Sequence, residues 1–308
     1  MSEHAFQPTT YHLTFGPHPA VLTVASGDVV RTRTIDAAGH DEHDAVVAER
    51  GNPLTGPFAV AGAVPGDVLA VTIRSVRPNR RRGFSSAALA PVTVDPEYVW
   101  ELEQTERRID WSIDLEQGVA RPALPIEGLA DLAVPLAPML GCIGVAPARG
   151  QAISAATSGP YGGNVDYRHL GPGVTLRFPV FQRGALLFVG DVHAAQGAGE
   201  LTGTGIEVSA DVELELRLEA AADLASPVRW PRGETDRELF TIGAARPLDQ
   251  ALQHATTEMV RWLRADYGMS AEAASVLIGQ VADLDVGNMF DPAYTMVCRV
   301  GKRYLAGR

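Results

Sequence analysis

Apolar and polar residues alternate along several stretches of this chain. The pattern runs through "HPAVLTVASGDVVRTRTIDAAG" (18–39), "PFAVAGAVPGDVLAVTIRSV" (57–76), "VTLRFPVF" (174–181) and "GALLFVGDVHA" (184–194), and is cleanest from Ile206 to Leu216 in "GIEVSADVELELRLE". A period of two puts successive side chains on opposite faces of an extended backbone, so each stretch predicts a strand with one buried face. "ASGDVV" (25–30) and "VPGDVL" (64–69) share a Gly-Asp step before an apolar run. Such a step predicts a turn with positive φ at Gly, and the two copies read as related β-hairpin openings. Residues 79–135 read as a long excursion with short strands, and from 138 a Gly-rich loop follows, a backbone suited to close approach of a ligand or another chain segment.

The period changes near the C-terminus. Leu248, Leu252, Met259, Val260 and Leu263 recur at helical spacing after Pro247, and Gly268 closes the run. Ser270 is placed to cap a second helix, and "YTMVCRVGK" (294–302) reads as a final strand. The expected class is α+β, mostly β, with sandwich-like or barrel-like sheets and a C-terminal helical pair. At 308 residues the chain is one domain over 1–308 or two β-rich subdomains at about 1–135 and 136–308.

Composition narrows the function classes. A net charge of −11 opposes general binding to nucleic acid or anionic lipid, both of which need clustered Lys and Arg. The basic run "RPNRRR" (77–82) follows a strand pattern and reads as a solvated turn. No stretch approaches the length of an apolar membrane span, and "MSEHAFQPTTYHL" lacks the charged and apolar regions of a leader, so no membrane partner and a cytoplasmic location are expected. The two cysteines, Cys142 and Cys298, have apolar neighbours and read as small buried hydrophobes; Cys142 stays open as a nucleophile because of its Gly-rich setting.

Three segments hold more ligand-type side chains than packing needs: "TIDAAGHDEHD" (34–44), "GPYGGNVDYRHLG" (159–171) and "GDVHAAQGAGELTGTGIE" (190–207). Asp36 ends a strand pattern, while Asp191 and His193 stand two apart and so share one face of an extended chain. Imidazole with carboxylates suits Zn²⁺ or a similar divalent ion, although an Asp-x-His pair equally serves as an ordinary structural hydrogen bond. His40 and His43 read as part of an exposed acidic loop, and His12 and His254 as isolated histidines. The glycines of 197–205 match no phosphate-binding order, and no Gly-x-Ser-x-Gly elbow occurs, leaving Ser154 and Ser158 as weak hydroxyl candidates.

Taken in order, "SGDVVRTRTIDAAG", "GNPLTGPFAVAGAVPGDVLAVTI", "PMLGCIGVAPARG", "GPYGGNVDYRHLGPGVTLRFPVF" and "GDVHAAQGAGELTGTGIE" resemble the acetamidase/formamidase family. The resemblance implies a homo-oligomeric, β-rich hydrolase of short amides with a bound divalent ion, zinc first and calcium or another ion second. The residues that carry over are Asp36, Asn52, Asn164, Asp166, Asp191, His193, Gln196, Glu200 and Glu207. On this reading Asp36, Asp191 and His193 hold the metal; Glu207 or Glu200 moves the proton, Asn164 steadies the oxyanion, and Asn52, Gln196 and Asp166 bind the amide. Two rival readings stay open: an amidase built on Cys142 without a catalytic metal, and a non-catalytic small-ligand binding protein with a structural metal. The acidic "GHDEHD" loop and the 77–118 region depart from the family pattern, which leaves the substrate least defined there.

Overall fold

The structure, a computed structural model, describes residues 1–102 and 107–305. Most strand residues of the described chain lie in two large sheets. One has nine strands, with Asp28–Thr34 and Val68–Pro78 flanking Ala210–Glu219. The alternation in that last strand is realised directly: Val212, Leu214 and Leu216 are buried, while Asp211 is exposed and Glu213 and Glu215 are only half-buried. The second sheet has eleven strands and is centred on Leu187–His193 and Met139–Val145. Each large sheet takes strands from both sides of residue 135. Side chains of both sheets, among them Val71 and Leu214 from the first and Phe58 and Val189 from the second, meet in one core.

The two Gly-Asp turns form as the sequence implies, with Gly27 at φ 89° and Gly66 at φ 102°. In each the Asp carboxylate accepts from the backbone N–H three residues back, Ala25 to Asp28 at 3.1 Å and Val64 to Asp67 at 3.0 Å. They are not hairpins, however. Leu22–Val24 and Leu54–Val60 pair in the second sheet, and the strands after the turns pair in the first, so each turn passes the chain between sheets.

A second correction concerns the Gly-rich segment after 138. Met139–Val145 is a fully buried central strand rather than a loop. Its glycines mark close backbone approach: a Cβ on Gly144 would lie 2.6 Å from the Tyr161 carbonyl oxygen. The helices Leu248–Asp266 and Ala271–Val281 form the expected pair, the second capped by Ser270 Oγ accepting from Ala273 N at 3.0 Å. Such a cap is worth about 1 kcal/mol. Met259, Trp262 and Leu263 pack on Leu239, Cys298 and Val300 in a separate smaller core. The buried stripe also admits Glu258, which accepts from Arg232 Nε at 2.8 Å. Among the described residues no helix is long and apolar enough to cross a membrane.

Candidate active site

The strand Leu187–His193 is the spine of the site. His193 stands opposite Glu207, and Cys142 stands opposite both Gly190 and Asn164, so pairing register alone brings three sequence segments together. Asp191 does not sit on an extended backbone as its spacing implies. Its φ is 52°, and the ladder to Met139–Val145 passes from Leu140 opposite Val192 to Cys142 opposite Gly190 without an Asp191 pair. The left-handed backbone at Asp191 still brings the two side chains together, with Asp191 Oδ1 3.6 Å from His193 Nε2.

Left-handed backbone is concentrated here. Asn52, Asp166, Asp191 and Glu200 have φ of 58°, 43°, 52° and 46°, a conformation that costs a non-glycine residue on the order of 1 kcal/mol or more and that clusters at functional sites. Two glycines make the room. A Cβ on Gly141 would lie 2.5 Å from Asp166 Oδ1 and 2.7 Å from the Asp191 carbonyl oxygen, and one on Gly205 would lie 2.5 Å from the His193 ring. Gly141→Ala is therefore expected to push both carboxylates aside and to lower kcat/KM about 100-fold, the scale of a 1 Å misplacement. Ammonia-release kinetics with a circular-dichroism check of folding test this, and a variant with wild-type turnover would sink it.

The hydrogen bonds fix one histidine tautomer. Gln196 Nε2 donates to the carbonyl oxygens of Asp166 at 2.6 Å and Gly287 at 3.2 Å, which turns its Oε1 toward His193 Nδ1 at 2.7 Å. Nδ1 therefore carries a hydrogen and donates it, and Nε2 faces the acids, 3.0 Å from Glu207 Oε1. Asp166 Oδ1, Glu207 Oε2 and His193 Nε2 are buried without a hydrogen-bond partner.

The charge balance is uneven. Asp166, Asp191, Glu200, Glu207 and Asp291 are all buried. Burial, with the neighbouring acids, pushes Asp166 and Glu200 well above the usual carboxylate range and Glu207 and Asp291 up to about 7. Burial works against an imidazolium at His193, but the carboxylates of Glu207 and Asp191 outweigh it and raise its pKa well above the ordinary value. The oxygens of Asp166 and Asp191 with a His193 nitrogen, and those of Glu200 and Glu207 with it, lie within 4.8 Å of one another. Unpartnered oxygens around one aimed nitrogen fit a divalent cation, because a cation removes the repulsion that otherwise demands protons.

The other candidates fall into distinct places. Asn52 Nδ2 donates to Asp191 Oδ2 at 3.1 Å and Asn164 Nδ2 to Asp291 Oδ2 at 2.6 Å. Both asparagines line a cavity of about 170 Å³ together with Asp191, Glu200, Glu207 and Asp291. Gln196, expected on the substrate, has its amide engaged in orienting His193, and Asp166, also expected there, faces His193 instead. Asp36 is not brought into the group. Its Oδ2 accepts from Arg80 Nη2 at 2.6 Å, and its Oδ1 accepts from the N–H groups of Ala38 and His40. The "RPNRRR" turn is thus solvated at Arg77, Arg81 and Arg82 but not at Arg80, which is buried.

Cys142 is buried, and its thiol donates to Asn164 Oδ1 at 2.7 Å. Burial first, then the charges of Asp191, Asp166 and Asp291, push its pKa well above the ordinary thiol value, the reverse of what a nucleophile needs. Sequence reasoning missed Asp291, which accepts from Asn164 and from Asn288 Nδ2 at 3.2 Å, and Asn288, which also donates to Asp166 Oδ2 at 3.1 Å. The signal available was the "GNMFDP" run beside the final strand.

The fold is similar to that of solved structures named as acetamidases. The chain superposes over 99% of its length on 93% of an acetamidase from Yersinia enterocolitica, with a TM-score of 0.84 and 29% identity. It superposes over 98% on 98% of an acetamidase from Bacillus halodurans, with a TM-score of 0.80 and 28% identity. A Schizosaccharomyces pombe protein carrying the name of a formamidase is 24% identical over 75% of this chain and 70% of its own. The chain belongs to the acetamidase/formamidase family, whose pattern it matches over residues 4–158 and 149–282. It is an amidase, an enzyme that hydrolyses amide C–N bonds.

Proposed function

We propose that the buried centre holds one divalent cation, zinc first, on His193 Nε2, Asp191 and Asp166, and hydrolyses a short amide to a carboxylate and ammonia. The observation that carries this reading is the fixed orientation of His193, whose Nδ1 is held by Gln196 while Nε2 faces buried carboxylates close enough to share one ion with it. When bound, such an ion supplies Lewis acidity, polarising the amide carbonyl and making water easier to deprotonate. Asp36 has no place in this ligand set, because Arg80 neutralises it.

The chain's own residues account for the proton traffic. Glu207 Oε1 accepts from the Gly205 N–H at 3.1 Å, and Oε2 is left without a partner. A buried carboxylate with one oxygen unpartnered is suited to take a proton from the attacking water and return it to the amide nitrogen. That return is needed because amide nitrogen leaves poorly unless protonated. Glu200, on the same cavity wall, is the second carrier. Asn164 commits one amide hydrogen to Asp291, and its other is offered to the developing oxyanion, a contact worth about 3 kcal/mol. A 170 Å³ cavity falls below the roughly 300–1,000 Å³ of pockets for drug-sized ligands, which favours a substrate of few heavy atoms at the reacting end. The family resemblance carries a homo-oligomer as a further part of this reading.

Chelation tests it. Stripping the ion is expected to abolish ammonia release and zinc to restore it; full activity in protein shown by elemental analysis to be metal-free would refute the proposal. The pH dependence of stability gives a second readout. In stripped protein the raised pKa values of Glu207, Asp291 and His193 mean that the native state holds more protons than the unfolded chain. Stability then falls as pH rises from about 4.5 through about 7. With the ion in place the carboxylates stay charged, and the trend is expected to reverse over the same window.

A further inference from the structure

A second, larger cavity of about 630 Å³ adjoins the 170 Å³ one, and the two share Arg50, Phe84 and Phe290 in their linings. The charges of the two chambers are opposite. The inner lining carries Asp191, Glu200, Glu207 and Asp291 with a single Arg50 at its rim. Among the described residues the outer lining carries Arg50, Arg107 and Arg108 and no Asp or Glu, in a chain whose net charge is −11. Arg108 lies over the face of Phe84, its guanidinium carbon 4.2 Å from the ring centroid, and donates from Nε to Asp110 at 2.9 Å. Leu89 and the ring of Phe290 supply exposed apolar surface on the same wall.

We infer that this arginine-lined vestibule binds the far end of the substrate, and that the substrate is an amide carrying a carboxylate at its other end, a monoamide of a short dicarboxylic acid. The inference rests on the amide occupying the inner cavity as proposed above. Acetamide or formamide fills only that inner cavity and leaves a chamber more than three times larger without a role. A carboxylate is repelled by the acids inside and attracted by guanidinium groups outside, whose planar forks match its two oxygens. The two chambers therefore accept a bifunctional molecule in one orientation, amide inward, with its methylene spacer against Phe84 and Phe290. Arg50 stands at the junction, where it meets the spacer and the charge.

The test compares pairs of equal length on the metal-loaded enzyme: succinamate against butyramide and glutaramate against valeramide, with acetamide as reference. The expected result is a kcat/KM at least tenfold higher for the anionic member of a pair, an advantage that shrinks in 0.5 M salt as roughly ångström-scale screening sets in. The anionic-to-neutral ratio is expected to fall about tenfold in Arg50→Gln and in Arg107→Gln, and less in Arg50→Lys. Equal rates within each pair, or a ratio unmoved by both glutamine variants, would overturn the vestibule assignment while leaving acetamide hydrolysis intact. Absence of turnover on every amide, acetamide included, overturns the inner-site reading and this inference with it.

Discussion

His193→Ala is expected to remove both the bound ion and amide hydrolysis, lowering kcat by on the order of 10⁴-fold or more, since several kcal/mol of transition-state stabilisation depend on the centre being assembled. The imidazole stands among five buried acids, and its orientation is set from behind by Gln196 Oε1 at 2.7 Å. Without it, Asp191, Glu207, Glu200 and Asp166 have lost their shared neighbour, and the alanine variant is expected to hold protons on them instead of an ion. Elemental analysis and ammonia release measured on one preparation check both losses. Turnover within tenfold of wild type would place the chemistry elsewhere, and retention of the ion without turnover would make the ion's other ligands sufficient to hold it. The folded state itself is expected to survive, because the strand Leu187–His193 keeps its buried residues Phe188, Val189 and Val192.

Much of this centre is legible in the sequence, but for reasons that differ from residue to residue. His193 and Glu207 are readable because one ends an apolar strand and the other begins an alternating one, and the two strands pair directly. Asp191 is nominated by a spacing argument that the backbone does not obey; a left-handed residue inside a strand leaves no trace in a period-two pattern. Asp291 and Asn288 reach the site from beyond two helices, and only tertiary closure, with Gly199 accepting from Met289 N at 2.8 Å, brings that segment in. The glycines are the least legible element. Those of Met139–Val145 look like a loop signal, yet they are where a central strand passes beneath carboxylates and a neighbouring backbone too close for any side chain. Helix positions follow the 3.6-residue period, which tertiary contacts only rotate, admitting Glu258 to the buried face through Arg232.

Asp36, expected on the metal, is placed by the structure in an ion pair with Arg80, and this pair yields the second large effect. Its carboxylate ties a loop: Oδ1 holds the N–H groups of Ala38 and His40, while Oδ2 meets Arg80, whose Nε donates to the Arg82 carbonyl oxygen at 2.8 Å and Nη1 to that of Asp41 at 3.2 Å. The next residue, Ala37, accepts through its carbonyl from Gly51 N at 3.0 Å and Asn52 N at 3.4 Å, and Asn52 reaches Asp191. A chain of contacts thus runs from a buried ion pair to the buried acids of the candidate site. Arg80→Met strips the pair of its arginine and leaves the fully buried Asp36 Oδ2 without its partner, which is expected to destabilise the protein by about 3–5 kcal/mol. The double variant Asp36→Asn/Arg80→Met removes the stranded charge and is expected to recover part of that loss, whereas kcat/KM stays low in both because the loop carrying Asn52 is no longer pinned. Urea denaturation at fixed metal concentration, with kinetics on the folded fraction, separates the two effects. Destabilisation below about 1 kcal/mol in the single variant would place the pair among exposed ion pairs of little worth. Unimpaired kinetics would show that Asn52 is positioned without it.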